Sequence, residues 1–430
     1  MMKILIKNGH LIDVKAGLKG IYDILIEEGK IKEISEKIDE TNVDLIDAKG
    51  KYVFPGFVDA HCHLRDPGYE YKEDIESGTK SAAAGGFTSI ACMPNTNPVA
   101  DNQSVISYIR NKAKRDGVVN VYPIGAITKG LNGEELAEIG ELKFAGAVAV
   151  SDDGKPVKSS SLMKKALLYA SMFDITVISH CEDLDLVDEG VMNEGYQSTI
   201  LGLKGVPSAA EEIMVAREII LSEYTNVPVH IAHVSTELSV DLIRYAKRRG
   251  VKVTAETCPH YFSLTEDACE GFNTLAKVNP PLRTRKDVEA VIQGLADGTI
   301  DIIATDHAPH HVDEKNVEFN IAANGFVGFE TAFSLANTYL VKPGHLTYEQ
   351  LIEKMCVNPS KILGLNKGTI EVGMPADITI VDPDEEYTVN VNEFKSKSKN
   401  SPFDGFKLTG SVYYTIVDGK IIVREKVLLV

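Results

Sequence analysis

The sequence predicts an α/β protein in which a (β/α)8 barrel of the TIM type carries a small β-sandwich formed by both chain ends. Eight short apolar segments alternate with helix-like segments through the middle of the chain, a pattern typical of parallel strands with crossover helices. Strand-like segments with turn dipeptides occupy both ends. We therefore expect the barrel over residues 54–363 and the sandwich over residues 1–53 and 364–430.

The chain ends contain several segments that predict β-hairpins. "KILIKNGHLID" predicts a hairpin that turns at Asn8-Gly9, and "YDILIEEGKIKEI" predicts one that turns at Glu28-Gly29. Near the other end, "ADITIVDP" predicts a strand and "VYYTIVDGKIIV" predicts a hairpin that turns at Asp418-Gly419. Because both ends share this pattern and the middle does not, we expect the two ends to form one small β domain.

The middle of the chain contains eight candidate barrel strands. In chain order they are "VFPGFVDAHCH", "FTSIACMPN", "NVYPIGAIT", "AVAVSDD", "ITVISHCED", "VPVHIAHVS", "VKVTAETCPH" and "DIIATDHAPH". Between them, Ser208 with Glu211 predicts a capping box, and Ser235 is a candidate N-cap for the helix that ends before Gly250. The polar run "KSKSKNS" over 395–401 predicts a surface loop.

Candidate metal ligands and hydrogen-bonding groups follow nearly every predicted barrel strand. They are His61, His63, Asn95, Asp152, Asp153, His180, His233, His260 and Asp306. Active sites of (β/α)8 barrels lie at this end of the strands, so we expect these side chains to meet there. In "DAHCHLRDPG", the alternation of His61, His63 and Arg65 predicts that all three side chains point to one face of a strand. A guanidinium in that position suits a substrate carboxylate.

Four histidines and two aspartates at a barrel mouth predict a metal site. Imidazole nitrogen and carboxylate oxygen without thiolate suit zinc, and also manganese or cobalt. Six ligands exceed one tetrahedral zinc, so two metals bridged by hydroxide fit better. Asp153 is the expected bridging group, and Asp306 is the expected general base and acid. We expect Asp152 to cap a loop or bond the backbone and His230 to be a core residue, whereas His260 could line the mouth or be structural.

Composition excludes several classes of protein. A net charge of −17 argues against nucleic-acid binding, because phosphate neutralisation needs basic patches. No stretch of the sequence approaches the roughly 20 apolar residues of a membrane span, and the first residues lack the apolar core of a signal peptide. Six scattered cysteines without a CxxC pair fit reduced thiols, so we expect a cytoplasmic protein.

Seven segments together resemble one enzyme family. They are "PGFVDAHCHLRDPG", "MPNTNP", "SDDG", "ISHCED", "HIAHVS", "KVNPPLR" and "ATDHAPH". The chain is similar over essentially its whole length to class I, long-chain dihydroorotases of the amidohydrolase superfamily. The resemblance implies reversible hydrolysis of the cyclic amide of L-dihydroorotate to N-carbamoyl-L-aspartate in pyrimidine biosynthesis. It also implies one or two zinc ions per chain, held by His61, His63, Asp153, His180, His233 and Asp306.

The same resemblance assigns the remaining site residues. A metal-bound hydroxide would attack the ring carbonyl, and Asp306 would move its proton to the leaving ring nitrogen. Arg65, Asn95 and His310 match the positions that hold the substrate carboxylate, and Asn279 matches one that holds the ring. The backbone of residues 325 and 326 would also contact the ring, which assigns this role to Gly325 and Phe326.

Several alternatives stay open at this level. Allantoinases and hydantoinase or dihydropyrimidinase-like cyclic amidases share the superfamily motifs, and a non-catalytic dihydroorotase-like partner subunit is a third reading. Many relatives bridge their metals with a carboxylated lysine, for which Lys155 and Lys158 are the nearby candidates. We also expect a homodimer, and the resemblance implies that the chain can associate with aspartate carbamoyltransferase.

Overall fold

A computed structural model describes residues 3–430 of the chain. The strands are β1 (Lys3–Asp13), β2 (Leu18–Glu27), β3 (Lys30–Ser35), β4 (Val43–Asp47), β5 (Tyr52–Pro55), β6 (Phe57–Cys62), β7 (Phe87–Cys92), β8 (Asn120–Gly125), β9 (Ala149–Ser151), β10 (Thr176–Ser179), β11 (Met192–Asn193), β12 (Gly205–Val206), β13 (Val229–Ile231), β14 (Val253–Thr257), β15 (Ile302–Ile303), β16 (Ile378–Thr388), β17 (Lys407–Val417), β18 (Lys420–Arg424) and β19 (Val427–Leu428).

The α-helices lie mainly between the strands of the middle region. They are α1 (Ile75–Ala84), α2 (Gln103–Asp116), α3 (Ile139–Ala145), α4 (Ser160–Ser171), α5 (Leu184–Val187), α6 (Tyr196–Leu201), α7 (Ala209–Thr225), α8 (Glu237–Arg248), α9 (Pro259–Ser263), α10 (Arg285–Ala296), α11 (Val312–Lys315), α12 (Ala332–Ala336), α13 (Tyr348–Ile352) and α14 (Asn358–Ile362). Within residues 3–430, none of the helices has both the length and the hydropathy needed to cross a membrane.

The eight predicted barrel strands are all present and form one parallel sheet. Its strand order is β6-β7-β8-β9-β10-β13-β14-β15, the order of the chain itself. Hydrogen bonds close the sheet into a barrel, because the Asp306 N–H donates to the His61 carbonyl at 3.0 Å and the His63 N–H donates to the His307 carbonyl at 2.8 Å. The predicted (β/α)8 barrel is therefore confirmed.

The strands from both chain ends form the second sheet, which builds the predicted β-sandwich. Its nine strands comprise β1–β5 and β16–β19, and the antiparallel pairing of β5 with β16 joins the two halves of the sequence. Side chains from both ends share one apolar core, for example Ile4, Ile24, Ile378 and Ile416. Neither chain end could bury this surface alone, so the sandwich needs both.

One predicted hairpin is wrong and two are confirmed. Residues 3–13 form the single strand β1, and Asn8-Gly9 is an irregularity inside its pairing with β2. The Asn8 side chain donates to Asp47 and its N–H donates to Asp23, which ties the kink to neighbouring strands. At Gly9 a Cβ atom would lie 2.4 Å from a Val53 methyl group, so only glycine fits there. The turns at Glu28-Gly29 and Asp418-Gly419 do connect antiparallel strands.

The predicted helix ends were only partly correct. Ser208 makes no side-chain cap, and Glu211 instead accepts hydrogen bonds from the N–H groups of Ser235 and Thr236. The cap of α8 is Thr236 rather than Ser235, whereas Gly250 follows that helix with a φ of 79° as predicted.

The segment of residues 395–401, called the strap below, differs from the predicted surface loop. It belongs to the connection between β16 and β17, and its lysines are exposed, but Ser396, Ser398, Asn400 and Ser401 are buried. Polarity alone suggested a solvated loop, whereas the side chains of Ser396, Ser398 and Asn400 find hydrogen-bond partners on the barrel. The Ser401 hydroxyl accepts from the Phe403 N–H of the same connection.

Candidate active site

A cavity of about 220 Å³ lies at the carboxyl ends of the barrel strands. Most of the predicted site residues line it: His63, Arg65, Asn95, Asp153, His180, His233, Asn279, Asp306, His310 and Gly325. His61 lies next to this group and is completely buried. Phe326 is buried nearby and is not among the residues that line the cavity. The topology of the barrel thus brings together side chains that are far apart in sequence.

The carboxylate of Asp153 occupies the centre of the histidine cluster. Its Oδ1 atom lies 3.3 Å from His61 Nε2, 3.5 Å from His233 Nε2 and 3.6 Å from His180 Nδ1. Its Oδ2 atom lies 3.5 Å from His63 Nε2. Two oxygens that face four imidazoles are the arrangement expected of a shared, bridging ligand.

Asp306 approaches the same cluster from the end of the barrel sheet. Its Oδ1 atom lies 3.1 Å from His63 Nε2 and 3.6 Å from His61 Nε2. Burial raises the pKa of the Asp306 carboxyl, but the hydrogen bond from His63 and the charges of the neighbouring histidines outweigh this effect and lower the pKa. Asp306 is therefore ionised at neutral pH in this environment.

An outer layer of acceptors orients three of the histidines. Glu256 accepts a hydrogen bond from His61 Nδ1 at 2.6 Å, and Glu182 accepts one from His180 Nε2 at 3.1 Å. Asn95 Oδ1 lies 2.9 Å from His63 Nδ1. Because each outer nitrogen donates its proton to these acceptors, the inner nitrogen of each ring presents a lone pair to the centre of the cluster once its own proton is removed.

This arrangement requires positive charge at its centre. Without it, imidazole lone pairs and two carboxylates would converge in a buried space, and His61 Nε2 has no hydrogen-bond partner among residues 3–430. Burial lowers the pKa of His180, but hydrogen bonds to Asp153 and Glu182 raise it to about 10. Protons on the imidazole rings supply this positive charge, and so do divalent cations that displace those protons. The nitrogen and oxygen atoms of the cluster are suitable ligands for zinc.

Glu256 and Glu182 were not identified from the sequence. Burial raises the pKa of Glu256, but the charge of His61 and the hydrogen bonds of His61 and His230 lower it well below its usual range. Its second oxygen contacts His230 Nε2 at 3.1 Å, so His230 is a buried residue of the outer layer. An acid inside the apolar strand segment "VTAETC" was a signal that could have identified Glu256.

The two candidates for the bridging position are clearly separated in space. Asp152 turns away from the cluster and accepts hydrogen bonds from the N–H groups of Ile127 and Thr128 at 2.8 and 3.0 Å, the backbone role expected of it. Lys155 and Lys158 are exposed and do not line the cavity. Asp153 is therefore the carboxylate that faces the histidines.

Arg65 reaches the cavity by a different route from the predicted one. Strand β6 ends at Cys62, and Arg65 lies in the following loop with a φ of 60°. The predicted strand register with His61 and His63 is therefore wrong for this residue. Its Nε donates to the Pro309 carbonyl at 3.1 Å, and its Nη2 lies 3.3 Å from His310 Nε2.

His310 is neutral and is tied to the opposite loop. Its Nε2 atom lies 2.7 Å from the Asn324 carbonyl, which requires a proton on that nitrogen. Burial, together with the charge of Arg65, lowers the pKa of His310 to about 2. Arg65 is thus the cationic side chain of this corner of the cavity.

The loop of residues 324–326 is held by buried polar groups. The Gly325 N–H donates to the Lys277 carbonyl at 2.9 Å, and the Gly325 carbonyl accepts from Lys315 Nζ at 3.0 Å. The backbone at position 325 has a φ of 110°, and a Cβ atom there would lie 2.6 Å from the Ala308 side chain. This position therefore requires glycine. The Phe326 carbonyl accepts from the Ala308 N–H, and its ring packs against His260, which is buried outside the cavity.

Comparison with known protein families gives two matches. A family model described as Dihydro-orotase-like matches residues 50–239, and a model described as Amidohydrolase family matches residues 321–423. A dihydroorotase of Acetivibrio thermocellus is 77% identical over 425 residues, which are 99% of this chain and 100% of the relative. A dihydroorotase of Ruminiclostridium cellulolyticum is 73% identical over 428 residues, covering 100% of both chains.

Solved structures share the whole architecture at lower identity. The L-hydantoinase (dihydropyrimidinase) of Arthrobacter aurescens superposes with a TM-score of 0.90 at 28% identity and covers 100% of this chain and 98% of its own. The dihydropyrimidinase of Brevibacillus agri superposes with a TM-score of 0.88 at 25% identity and covers 100% and 96%.

Proposed function

Because this chain belongs to the dihydroorotase family of the amidohydrolase superfamily, we propose that it reversibly hydrolyses the cyclic amide of L-dihydroorotate to N-carbamoyl-L-aspartate in pyrimidine biosynthesis. It is a metal-dependent cyclic amide hydrolase. One observation carries the proposal: the Asp153 carboxylate lies among four imidazoles, and Asp306 and Arg65 line the same small cavity.

The proposed metal ligands are His61, His63, Asp153, His180, His233 and Asp306. We propose that they hold one or two zinc ions. Zinc, when bound, acts as a Lewis acid on an amide carbonyl and makes a water molecule acidic enough to be a nucleophile near neutral pH. Their nitrogen and oxygen donors and their burial support this assignment.

Asp306 is the proposed general base and acid. Because its carboxylate is ionised and lines the cavity, it can accept a proton from the attacking water. It then donates that proton to the ring nitrogen as the carbon–nitrogen bond breaks, which leaves the carbamoyl product neutral at that atom. In the reverse direction the same carboxylate removes the proton from the nitrogen that closes the ring.

The proposed substrate contacts divide by chemistry. Arg65, with Asn95 and His310, would bind the carboxylate of the substrate, and the guanidinium would overcome the repulsion expected from a net charge of −17. Asn279 lines the cavity and would bind the ring amide, and the backbone at Gly325 and Phe326 would flank the ring. Asn95 would then serve both His63 and the substrate.

A substrate panel and a metal analysis test this function. We expect turnover of dihydroorotate and carbamoyl aspartate, and none of allantoin, hydantoins or dihydrouracil, because only the first pair offers a carboxylate to Arg65. Asp153→Ala should lose bound zinc and at least about 100-fold in kcat/KM. Asp39→Ala removes an exposed carboxylate and serves as the control.

Three results would contradict the assignment. Turnover of hydantoins in preference to dihydroorotate would favour the hydantoinase alternative that the solved structures suggest. Unchanged zinc content in Asp153→Ala would remove Asp153 from the ligand set. Absence of metal from protein purified without chelators would favour the non-catalytic partner subunit.

We also propose that the chain forms a homodimer through α7. Ile213, Ile220 and Tyr224 lie along one side of this helix and are 52%, 61% and 76% exposed, which is unusual for a surface without a partner. Sedimentation should show a dimer that the double variant Ile220→Glu, Tyr224→Glu dissociates, and an unchanged mass of that variant would contradict this interface.

Six free, buried cysteines support a cytoplasmic location. Association with aspartate carbamoyltransferase would be tested by co-elution of the two proteins.

A further inference from the structure

The strap connects the chain-end sandwich to the catalytic end of the barrel. It lies between the sandwich strands β16 and β17, and every second residue from Ser396 to Asn400 is buried while the lysines between them are exposed. The Ser398 hydroxyl donates to the Lys72 carbonyl at 2.8 Å. Serine hydroxyls are buried only where partners exist, so the strap has a specific seat on the barrel.

Two carboxylates, the buried Glu73 and the partly buried Glu330, anchor the first half of the strap. Glu330 accepts from the N–H groups of Lys395 and Ser396 at 2.7 and 3.3 Å. Glu73 accepts from the Ser396 hydroxyl and from the Lys397 N–H at 3.2 Å. Four donors of the strap thus meet two carboxylates of the barrel, and this fixes the register of the segment.

The second half of the strap ends in Asn400, whose amide joins two barrel loops. Its Oδ1 accepts from the His310 N–H at 3.2 Å, and its Nδ2 donates to the Gly325 carbonyl at 3.1 Å. Its own carbonyl accepts from the Val327 N–H at 3.0 Å. Asn400 itself does not line the cavity, whereas His310 and Gly325 do.

We propose that Asn400 is a positioning residue, which the strap holds in place so that its amide fixes His310 and Gly325 for substrate binding. The inference rests on the proposed function, because it takes these two residues as part of the substrate site. An amide is required at this position, because its oxygen must accept a hydrogen bond from the His310 N–H and its nitrogen must donate one to the Gly325 carbonyl. Aspartate would keep the acceptor for His310 but would place an oxygen against the Gly325 carbonyl.

The variants Asn400→Ala and Asn400→Asp test this role in the full-length, zinc-loaded enzyme. Loss of two buried hydrogen bonds should raise KM for dihydroorotate roughly tenfold or more, with kcat within about threefold of the wild type. Zinc content should not change, because Asn400 contacts none of the six proposed ligands. Asn392→Ala is the matched control, since it removes an exposed amide from the same connection.

Hydrogen exchange provides a second readout that does not depend on activity. Peptides covering residues 308–327 should exchange faster in Asn400→Ala by roughly tenfold, and not in Asn392→Ala. Wild-type values of both KM and loop exchange in Asn400→Ala would overturn the proposal, as would a fall in kcat and zinc content with unchanged KM. A wild-type enzyme inactive on dihydroorotate would contradict the proposed function. In that case the exchange data alone would test whether Asn400 fixes the loop.

Discussion

At the scale of single residues, the site depends on the side chains that lie behind the proposed metal ligands. The proton positions on His61, His63 and His180 follow from acceptors behind them, so the inner nitrogens face one point. Glu256 contacts two histidines, His61 and His230, and is completely buried. Metal affinity should therefore depend on the outer layer almost as strongly as on the ligands themselves.

Glu256→Gln tests this dependence. The glutamine amide has only one acceptor oxygen, so it cannot accept from both His61 and His230. We therefore expect zinc affinity to fall about 10- to 100-fold while the fold is kept. Competition with a chelator of known affinity measures the change. Glu33→Gln, at an exposed position of β3, is the control and should bind zinc as the wild type does. Equal affinities in the two variants would show that Glu256 does not tune the site.

Sequence reasoning located the cluster residues but not the residues that support them. His61, His180 and His233 are recognisable because each stands at the end of an apolar strand segment, where the barrel must bring them together. Asn400 and Glu182 act through contacts that no local pattern encodes. Arg65 was assigned to the cavity with an incorrect strand register, since a left-handed backbone conformation after Cys62 redirects its side chain.

At the scale of elements, apolar runs predicted every barrel strand, whereas one of the three turn dipeptides, Asn8-Gly9, was misleading. All eight barrel strands formed as predicted, because a strand buried on both faces needs a continuous apolar run. Asn8-Gly9 has the composition of a hairpin turn, yet β1 continues through it, because β4 and β5 pair along the other side of the strand. Pairing partners that are distant in sequence decided this case.

The carboxyl of Glu330, which anchors the strap, makes stability depend on pH. Burial raises the pKa of this carboxyl to about 7, despite hydrogen bonds from Ser81, Lys395 and Ser396 that lower it. Between pH 4.5 and 7 the folded chain therefore keeps a proton that the unfolded chain, with a pKa near 4.3, has released. The free energy of unfolding should consequently fall as the pH rises through this range.

Glu330→Gln removes this titration and keeps an acceptor for the strap. We expect the wild type to lose up to about 3 kcal/mol relative to the variant between pH 4.5 and 7, measured by urea unfolding at several pH values. Glu33→Gln at an exposed site should show the slope of the wild type. Parallel curves for wild type and Glu330→Gln would show that Glu330 is ionised in the folded protein across the whole range.

At the scale of the whole molecule, one core connects the sandwich to the end of the barrel at which β6 and β7 begin. Phe54 of β5 faces Phe57 of β6 at 6.4 Å between ring centroids, and both rings contact Phe333 of α12. On the barrel side, Phe57 contacts Phe87, which contacts Phe329. The proposed boundary near residue 53 therefore crosses a continuous core, and we expect the sandwich and the barrel to unfold together.

Phe333→Ala tests whether the two parts are coupled. The ring packs on Phe57 at 5.7 Å and is 2% exposed, so its removal should leave a cavity and cost about 3–5 kcal/mol of the free energy of unfolding. Calorimetry should show a single transition that moves as a whole to lower temperature, because the lost contacts belong to both parts. Phe144→Ala, at a position 82% exposed, should change stability by less than about 0.5 kcal/mol. Two transitions, of which only one moved, would mean that the aromatic contacts do not couple the sandwich to the barrel.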